Sequence, residues 1–187
     1  MSATTTPQSK PPTPDADQAL VAAYQNGDQR AAARLIERHS AALTRYLYSS
    51  GADGEEVDDL VQETLFRAFH RLATWRGEAS FRSWLFTIGG NLLRDHFRSR
   101  KGRRVISLDD YDIPDRSDPH SDLAALEVED RIREGLTRLP RLQREVFLLR
   151  TQEGTDYEEI AISLGTTPGA ARVHYHHAVK RLKELLG

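Results

Sequence analysis

Apolar side chains recur at intervals of three and four along nearly the whole chain, and nowhere alternate strictly with polar ones. That period predicts helices and excludes a sheet. Asp17 is a candidate N-cap for a first helix carrying Leu20, Val21 and Tyr24, which Gly27 stops. Asp28 caps a second helix, with the stripe Ala32, Leu35, Ile36, His39, Leu43, Tyr46 and Leu47. After a turn around Gly51–Gly54, a third helix carries Val57, Val61, Leu65, Ala68 and Leu72 on one face. Trp75–Ser80 (WRGEAS) reads as a loop, and a fourth helix runs from Phe81 to about Arg100. Two adjacent glycines, Gly89 and Gly90, fall in its middle. Each costs about 1 kcal/mol relative to alanine, a cost that a close approach of another helix can offset. Periodicity returns at Leu123: Val128, Ile132 and Leu136 form an i, i+4, i+8 stripe. Leu142, Val146 and Leu149 follow Pro140, which suits a first helical turn. Thr155-Asp156-Tyr157-Glu158 is a capping-box pattern for a short helix ending at Gly165. Thr167 and Pro168 then read as N-cap and first residue of a final helix to Leu186.

Composition divides this all-α pattern into two small domains. Residues 105–122 hold two Pro and six Asp against one Arg, the composition of a flexible linker. Met1–Ala16, with four of the eight prolines, reads as a disordered tail, because it has few apolar side chains to offset ordering entropy. The domains therefore span 17–104 and 123–187. The chain has no cysteine, which excludes disulfides, thiol redox chemistry and Cys-ligated metal. With no apolar run of about 18 residues and no basic-then-apolar leader, neither membrane insertion nor secretion is expected, and the location read is cytoplasmic. The net charge of −2 is a sum of opposed segments: residues 53–63 carry −6 and 105–122 carry −5, against +5 over 94–104 and +3 over 169–187. Near-neutrality therefore does not exclude nucleic-acid binding; it suggests weak binding by the free chain.

Three features carry candidate chemistry. The last two helices form a helix-turn-helix, with Ile160, Ala161 and Leu164 facing inward from one and Ala171, Tyr175, Ala178 and Leu182 from the other. Its second helix would point Arg172, Val173, His174, His177, Lys180 and Arg181 at a major groove. A helical hairpin with a solvated basic face fits the same spacing. Asp58, Asp59, Gln62 and Glu63 lie opposite the Val57/Val61 stripe as an acidic face, either solvated or a dock for a basic partner. Basic residues from Arg94 to Arg104, downstream of Trp75, Phe81, Trp84 and Phe86, suit a single nucleic-acid strand, whose phosphates track charge and whose bases stack on rings. Core packing is the competing account of Trp84 and Phe86.

In order, the chain shows DDLVQETLFRAF, WRGEASFRSWLF, NLLRDHFRSRKGRR, an acidic linker, LPRLQREVFLLR, TDYEEIAISLG and a final basic helix. This succession resembles the group 4, or extracytoplasmic-function, sigma factors of bacterial RNA polymerase, over residues 17–104 and 123–186. The resemblance implies a region 2-like and a region 4-like domain and a dissociable subunit that recognises −10 and −35 elements and promotes strand opening. It implies that Asp58, Asp59, Gln62 and Glu63 grip the polymerase β′ clamp. It implies that Trp75, Arg76, Gly77, Glu78, Ala79, Ser80 and Phe81 capture a flipped −10 base, and that Asn91, Arg94 and Arg98 lie along −10 DNA. The final helix would read the −35 element, and the C-terminal domain would meet the β flap. An anti-sigma factor, which could hold the chain at the membrane, is a further implied partner, the chain being monomeric or bound one-to-one. No cofactor and no metal are implied. The final helix departs from the family pattern at His174, His177 and Val179, where arginines are usual, so phosphate contacts there are expected to be weaker. His174, His176 and His177 also invite a metal reading, but no carboxylate or cysteine lies near them in sequence.

Two rival readings fit the sequence less well. A dimeric helix-turn-helix regulator would have a dimerisation face and give the 58–63 patch no role. An enzyme would need a nucleophile–base spacing, phosphate loop or metal motif, and none appears.

Overall fold

The computed structural model describes residues 14–101 and 123–186. The tail expected over 1–16 lies, up to residue 13, outside the described residues, and the linker expected over 105–122 lies wholly outside them. Among the described residues there are eight α-helices, one turn of 3-10 helix at Leu72–Thr74, and no strand. The helices are α1 (Pro14–Gln25), α2 (Gln29–Ser49), α3 (Val57–His70), α4 (Phe81–Lys101), α5 (Leu123–Thr137), α6 (Arg141–Gln152), α7 (Tyr157–Leu164) and α8 (Pro168–Leu186).

Local chemistry sets most boundaries. The Asp28 carboxylate accepts the Arg30 N–H at 2.9 Å and starts α2. Thr167 caps α8 by accepting the Ala170 N–H at 3.1 Å, with Pro168 as first helical residue. Gly165 ends α7 at φ 64°, a left-handed conformation that glycine adopts without strain. Three starts differ from the sequence expectation. The cap of α7 is Asp156, which accepts the Glu159 N–H at 2.8 Å; Thr155 is buried instead, its N–H on Leu149 O. Pro140 stands just before α6 rather than in its first turn. α1 begins at Pro14, so Asp17 sits inside the helix and caps nothing. Its carboxylate pairs with Arg38 at 2.7 Å and with the fully buried His39 at 3.0 Å, both on α2. Burial pushes that carboxyl up, but the hydrogen bonds and charges of His39 and Arg38 outweigh it and hold the group below the usual carboxylate range.

α2 is the spine of the first half. Ala31, Leu35, His39, Ala42, Leu43, Tyr46 and Leu47 are buried on it, whereas Ile36 is exposed: the buried stripe runs through Ala31 rather than through Ala32 and Ile36. α3 and α4 close over this face, and Tyr46 stacks on Phe86 with centroids 4.8 Å apart. The first glycine of the pair is explained here. A Cβ on Gly89 would lie 3.1 Å from Leu43 and 3.4 Å from both Leu47 and Thr64, so α4 comes this close to α2 and α3 only without a side chain. Leu72 is buried as expected, but in the 3-10 turn beyond α3.

In the second half, α6 and α8 pack closely around Val146, Leu149, Ile160, Ala171, Ala178 and Leu182. The stripe predicted for α5 is buried only at Leu136; Val128 and Ile132 are exposed. The period was real, but no helix of the described residues covers that end of it.

The halves meet through α4 with α7 and through α2 with α5 and α6. Arg133 donates to Ala52 O at 2.7 Å and Tyr48 O at 3.2 Å, with its guanidinium over the Tyr48 ring, and Arg144 donates to Ser50 O at 2.7 Å. These cations satisfy backbone carbonyls at the C-terminal end of α2, the end that favours positive charge.

Candidate functional site

The acidic face forms because the α3 period buries Val57, Leu60, Val61, Thr64, Leu65 and Ala68 and turns Asp58, Asp59, Gln62 and Glu63 outward. Asp58, Asp59, Gln62 and Glu63 are all exposed on it. Glu63 pairs with Arg67 one turn on, at 2.7 Å. The sequence reading missed Phe66, which stands out of the same surface at 60 % exposure, its ring 4.4 Å from that of His70. The signal was present: Phe66 follows Gln62 by four residues and lies off the buried stripe. The exposed face of α3 thus carries an aromatic ring next to the acidic side chains.

The Trp75–Ser80 segment is a closed loop. The Trp75 indole N–H donates to Ala79 O at 3.0 Å, and Gly77 turns at φ 72°. Trp75 is half-buried, with its ring edge-on to Phe81, while Arg76 and Glu78 are exposed. Phe81 is almost completely buried between Trp75, Trp84 and His39, so it anchors the loop and offers no free face. Ser80 caps α4 by accepting the Ser83 N–H at 3.1 Å. Phe86 is core and Trp84 half-buried. Along α4, Asn91 and Arg94 are half-buried and Arg98 is exposed. Arg94 lines a cleft between the halves with Arg141, Arg144 and Glu145. The loop and the α4 face are therefore adjacent, but the described structure brings the second half up against both.

In the helix-turn-helix, Ile160, Ala161, Ala171, Ala178 and Leu182 are buried and hold α8 against α7. Arg172, Val173, His177, Lys180 and Arg181 are exposed along α8, and His174 is half-buried. Arg172 lies 5.1 Å over the Tyr157 ring, which restrains its guanidinium, and Lys180 reaches Glu184 at 4.0 Å. Among the described residues, no three His, Cys, Asp or Glu side chains converge as metal ligands, and no helix is long and apolar enough to cross a membrane.

Sequence reasoning also missed Arg82, Glu153 and Glu159. Arg82 of α4 and Glu153, the residue ending α6, form an ion pair, with the Glu153 side chain only 2 % exposed. Burial pushes the Glu153 carboxyl up, against the opposing pull of Arg82 and Arg45. Glu159 reaches Ser80 and Ser83 across the two halves. A pairing between residues more than 70 positions apart leaves no periodic trace.

Comparison with known proteins shows the family. Residues 35–103 match the family model for sigma-70 region 2, and residues 129–182 the model for sigma-70 region 4. The RNA polymerase sigma factor CnrH of Cupriavidus metallidurans is 34 % identical over 181 residues, covering 92 % of this chain and 95 % of that protein. The sigma factor NccH of Alcaligenes xylosoxydans xylosoxydans is 33 % identical over 178 residues, covering 92 % and 96 %. The ECF RNA polymerase sigma factor SigL of Mycobacterium tuberculosis is 34 % identical over 153 residues, covering 80 % and 85 %. The structure of CnrH in complex with the cytosolic domain of CnrY superposes with a TM-score of 0.71 at 32 % identity, covering 92 % of this chain and 97 % of that one.

Proposed function

This chain belongs to the extracytoplasmic-function group of the sigma-70 family, as a subunit that directs RNA polymerase to promoters for initiation, and on that premise we propose how its residues divide the work. Residues 17–104 form the unit that binds core polymerase and the −10 element, and residues 123–187 the unit that binds the −35 element, joined by 105–122. Asp58, Asp59, Gln62 and Glu63, with Phe66 beside them on α3, form the dock for the clamp of the polymerase; the observation that carries this reading is an exposed aromatic ring next to an exposed acidic face. Arg76, Gly77, Glu78, Ala79 and Ser80, with the half-buried Trp75, form the loop that receives an extruded −10 base. Phe81 positions that loop from the core. A flipped base costs a few kcal/mol of unstacking, which contacts in such a loop must offset. Asn91, Arg94 and Arg98 track the adjoining strand. Arg172, Val173, His177, Lys180 and Arg181, with His174 at the margin, read the −35 duplex from α8.

In this reading all bond chemistry belongs to the polymerase, and the chain supplies position and strand-separation energy. It acts where the polymerase acts, in the cytoplasm, and needs no cofactor of its own. The relative CnrH is seen with the cytosolic domain of CnrY, which supports an anti-sigma factor as a partner of this chain too, one that could tether it to a membrane. Run-off transcription with purified core polymerase over a panel of genomic promoters tests the assignment. Initiation that depends on this chain, and that is lost when Asp59 and Phe66 are replaced, is the expected result. Initiation on no template defeats it.

A further inference from the structure

Arg172 is exposed near the start of α8, the part of a recognition helix that meets a duplex. Its guanidinium lies 5.1 Å over the ring of Tyr157, the first residue of α7. Among the described residues it forms no ion pair with a carboxylate, whereas Lys180 on the same helix is paired with Glu184 at 4.0 Å. A carboxylate takes up the N–H donors of a guanidinium. A ring face attracts the cation through its quadrupole and leaves those donors free for another acceptor. The ring is itself held in place. Asp156 caps α7 by accepting the Glu159 N–H at 2.8 Å, which fixes the backbone at Tyr157. Arg150 of α6 donates to Thr155 O at 2.9 Å and sets a second guanidinium 5.0 Å over the same ring. Tyr175 of α8 meets Tyr157 edge-on, with centroids 6.2 Å apart, and stacks on Phe147 of α6 at 5.9 Å. Groups from α6 and α8 thus converge on the half-buried Tyr157 of α7, and its ring carries the exposed Arg172.

We propose that Tyr157 is a positioning residue for duplex binding: its ring holds the Arg172 guanidinium, donors free, where α8 meets the DNA. This rests on assigning α8 to the −35 duplex. A long, exposed arginine side chain loses rotamer freedom when it closes on a phosphate or a base edge. On the Tyr157 ring part of that loss is taken during folding, so the contact forms from a preset arrangement. Tyr157 brings no charge of its own. Its removal therefore lowers affinity without changing the number of counterions that binding releases, whereas removal of Arg172 changes both.

Anisotropy titrations of the full-length chain against a fluorescein-labelled, random-sequence duplex of about 20 bp, over a series of salt concentrations, separate positioning from contact. Tyr157→Leu is expected to weaken binding about two- to fivefold at an unchanged slope of log affinity against log salt. Arg172→Ala is expected to lower that slope by about 1. Tyr157→Phe, which keeps the ring face, should bind as the unsubstituted chain does. In an Arg172→Ala background, Tyr157→Leu should have no further effect. Circular dichroism melts confirm that each variant is folded. Undiminished affinity for Tyr157→Leu, or an equal loss in the Arg172→Ala background, overturns the positioning role. So does a freely mobile Arg172 side chain in NMR relaxation of the unsubstituted chain, a readout that depends on no variant. Arg172→Ala with unchanged affinity and slope refutes instead the assignment of Arg172 to the duplex, and the positioning role falls with it.

Discussion

Gly89→Ala sets two known effects against each other in one methyl group. In a helix interior the change gains about 1 kcal/mol of helix propensity. Overpacking a filled core costs about 1–3 kcal/mol. The surroundings decide the sign. The new Cβ would stand 3.1 Å from Leu43 and 3.4 Å from Leu47 and Thr64. All three neighbours are fully buried, so none can swing aside into solvent. Overpacking therefore wins, and a net loss of about 1 kcal/mol is expected. Urea unfolding followed by circular dichroism and by fluorescence of Trp75 and Trp84 measures it as a lower midpoint at unchanged slope. A second arm isolates the cause. In a Leu43→Ala background the space is vacated and the same change at 89 becomes favourable, giving a coupling of about 1–2 kcal/mol in the double-mutant cycle. Gly169, exposed near the start of α8, has nothing within 4 Å of the place a Cβ would take. It is the control at which alanine does not destabilise. A raised midpoint for Gly89→Ala, or zero coupling to Leu43, would refute the close approach of α4 to α2.

Asp17→Asn leaves Arg38 and the buried His39 without their charged partner, and a loss of about 3 kcal/mol is expected, read by urea midpoint. Because the Asp17 carboxyl is held below its unfolded value, its contribution is present above pH ~4 and is lost as pH falls through the lowered value; the variant should lack that part of the acid destabilisation. Phe66→Ala should weaken capture of core polymerase by more than about 1 kcal/mol while leaving the unfolding midpoint nearly unchanged, since the ring is exposed. Arg172→Ala and Arg181→Ala should each weaken a −35 duplex and reduce the slope of log affinity against log salt by about 1, measured by anisotropy; an unchanged slope removes that residue from the phosphate contacts.

What could be read from the sequence follows the reach of each interaction. Helix existence, the Asp28 and Thr167 caps, the Gly165 stop and the outward turn of Asp58, Asp59, Gln62 and Glu63 depend on neighbours within one or two turns, so period and cap chemistry determined them. The order of motifs carried the family, because unusual short stretches succeed one another at set separations. Elsewhere the choice needed a partner distant in the chain. Asp17 had the composition of a cap, but Arg38 and His39 of α2 offered its carboxylate more than an N-terminal N–H could. Val128 and Ile132 kept the helical period with no helix among the described residues to cover them. Phe81 belonged to the loop by sequence and to the core by packing. The glycine pair showed as a local defect of α4, and only the approach of Leu43, Leu47 and Thr64 showed what the missing side chain at Gly89 makes room for. Glu159 on Ser80 and Ser83, and Glu153 on Arg82, were the least legible, since a single carboxylate among many has no pattern until folding sets it against the one helix end it fits. The sequence by itself determined which helices form and which faces they offer; tertiary structure alone decided which of those faces are open and which the chain covers with itself.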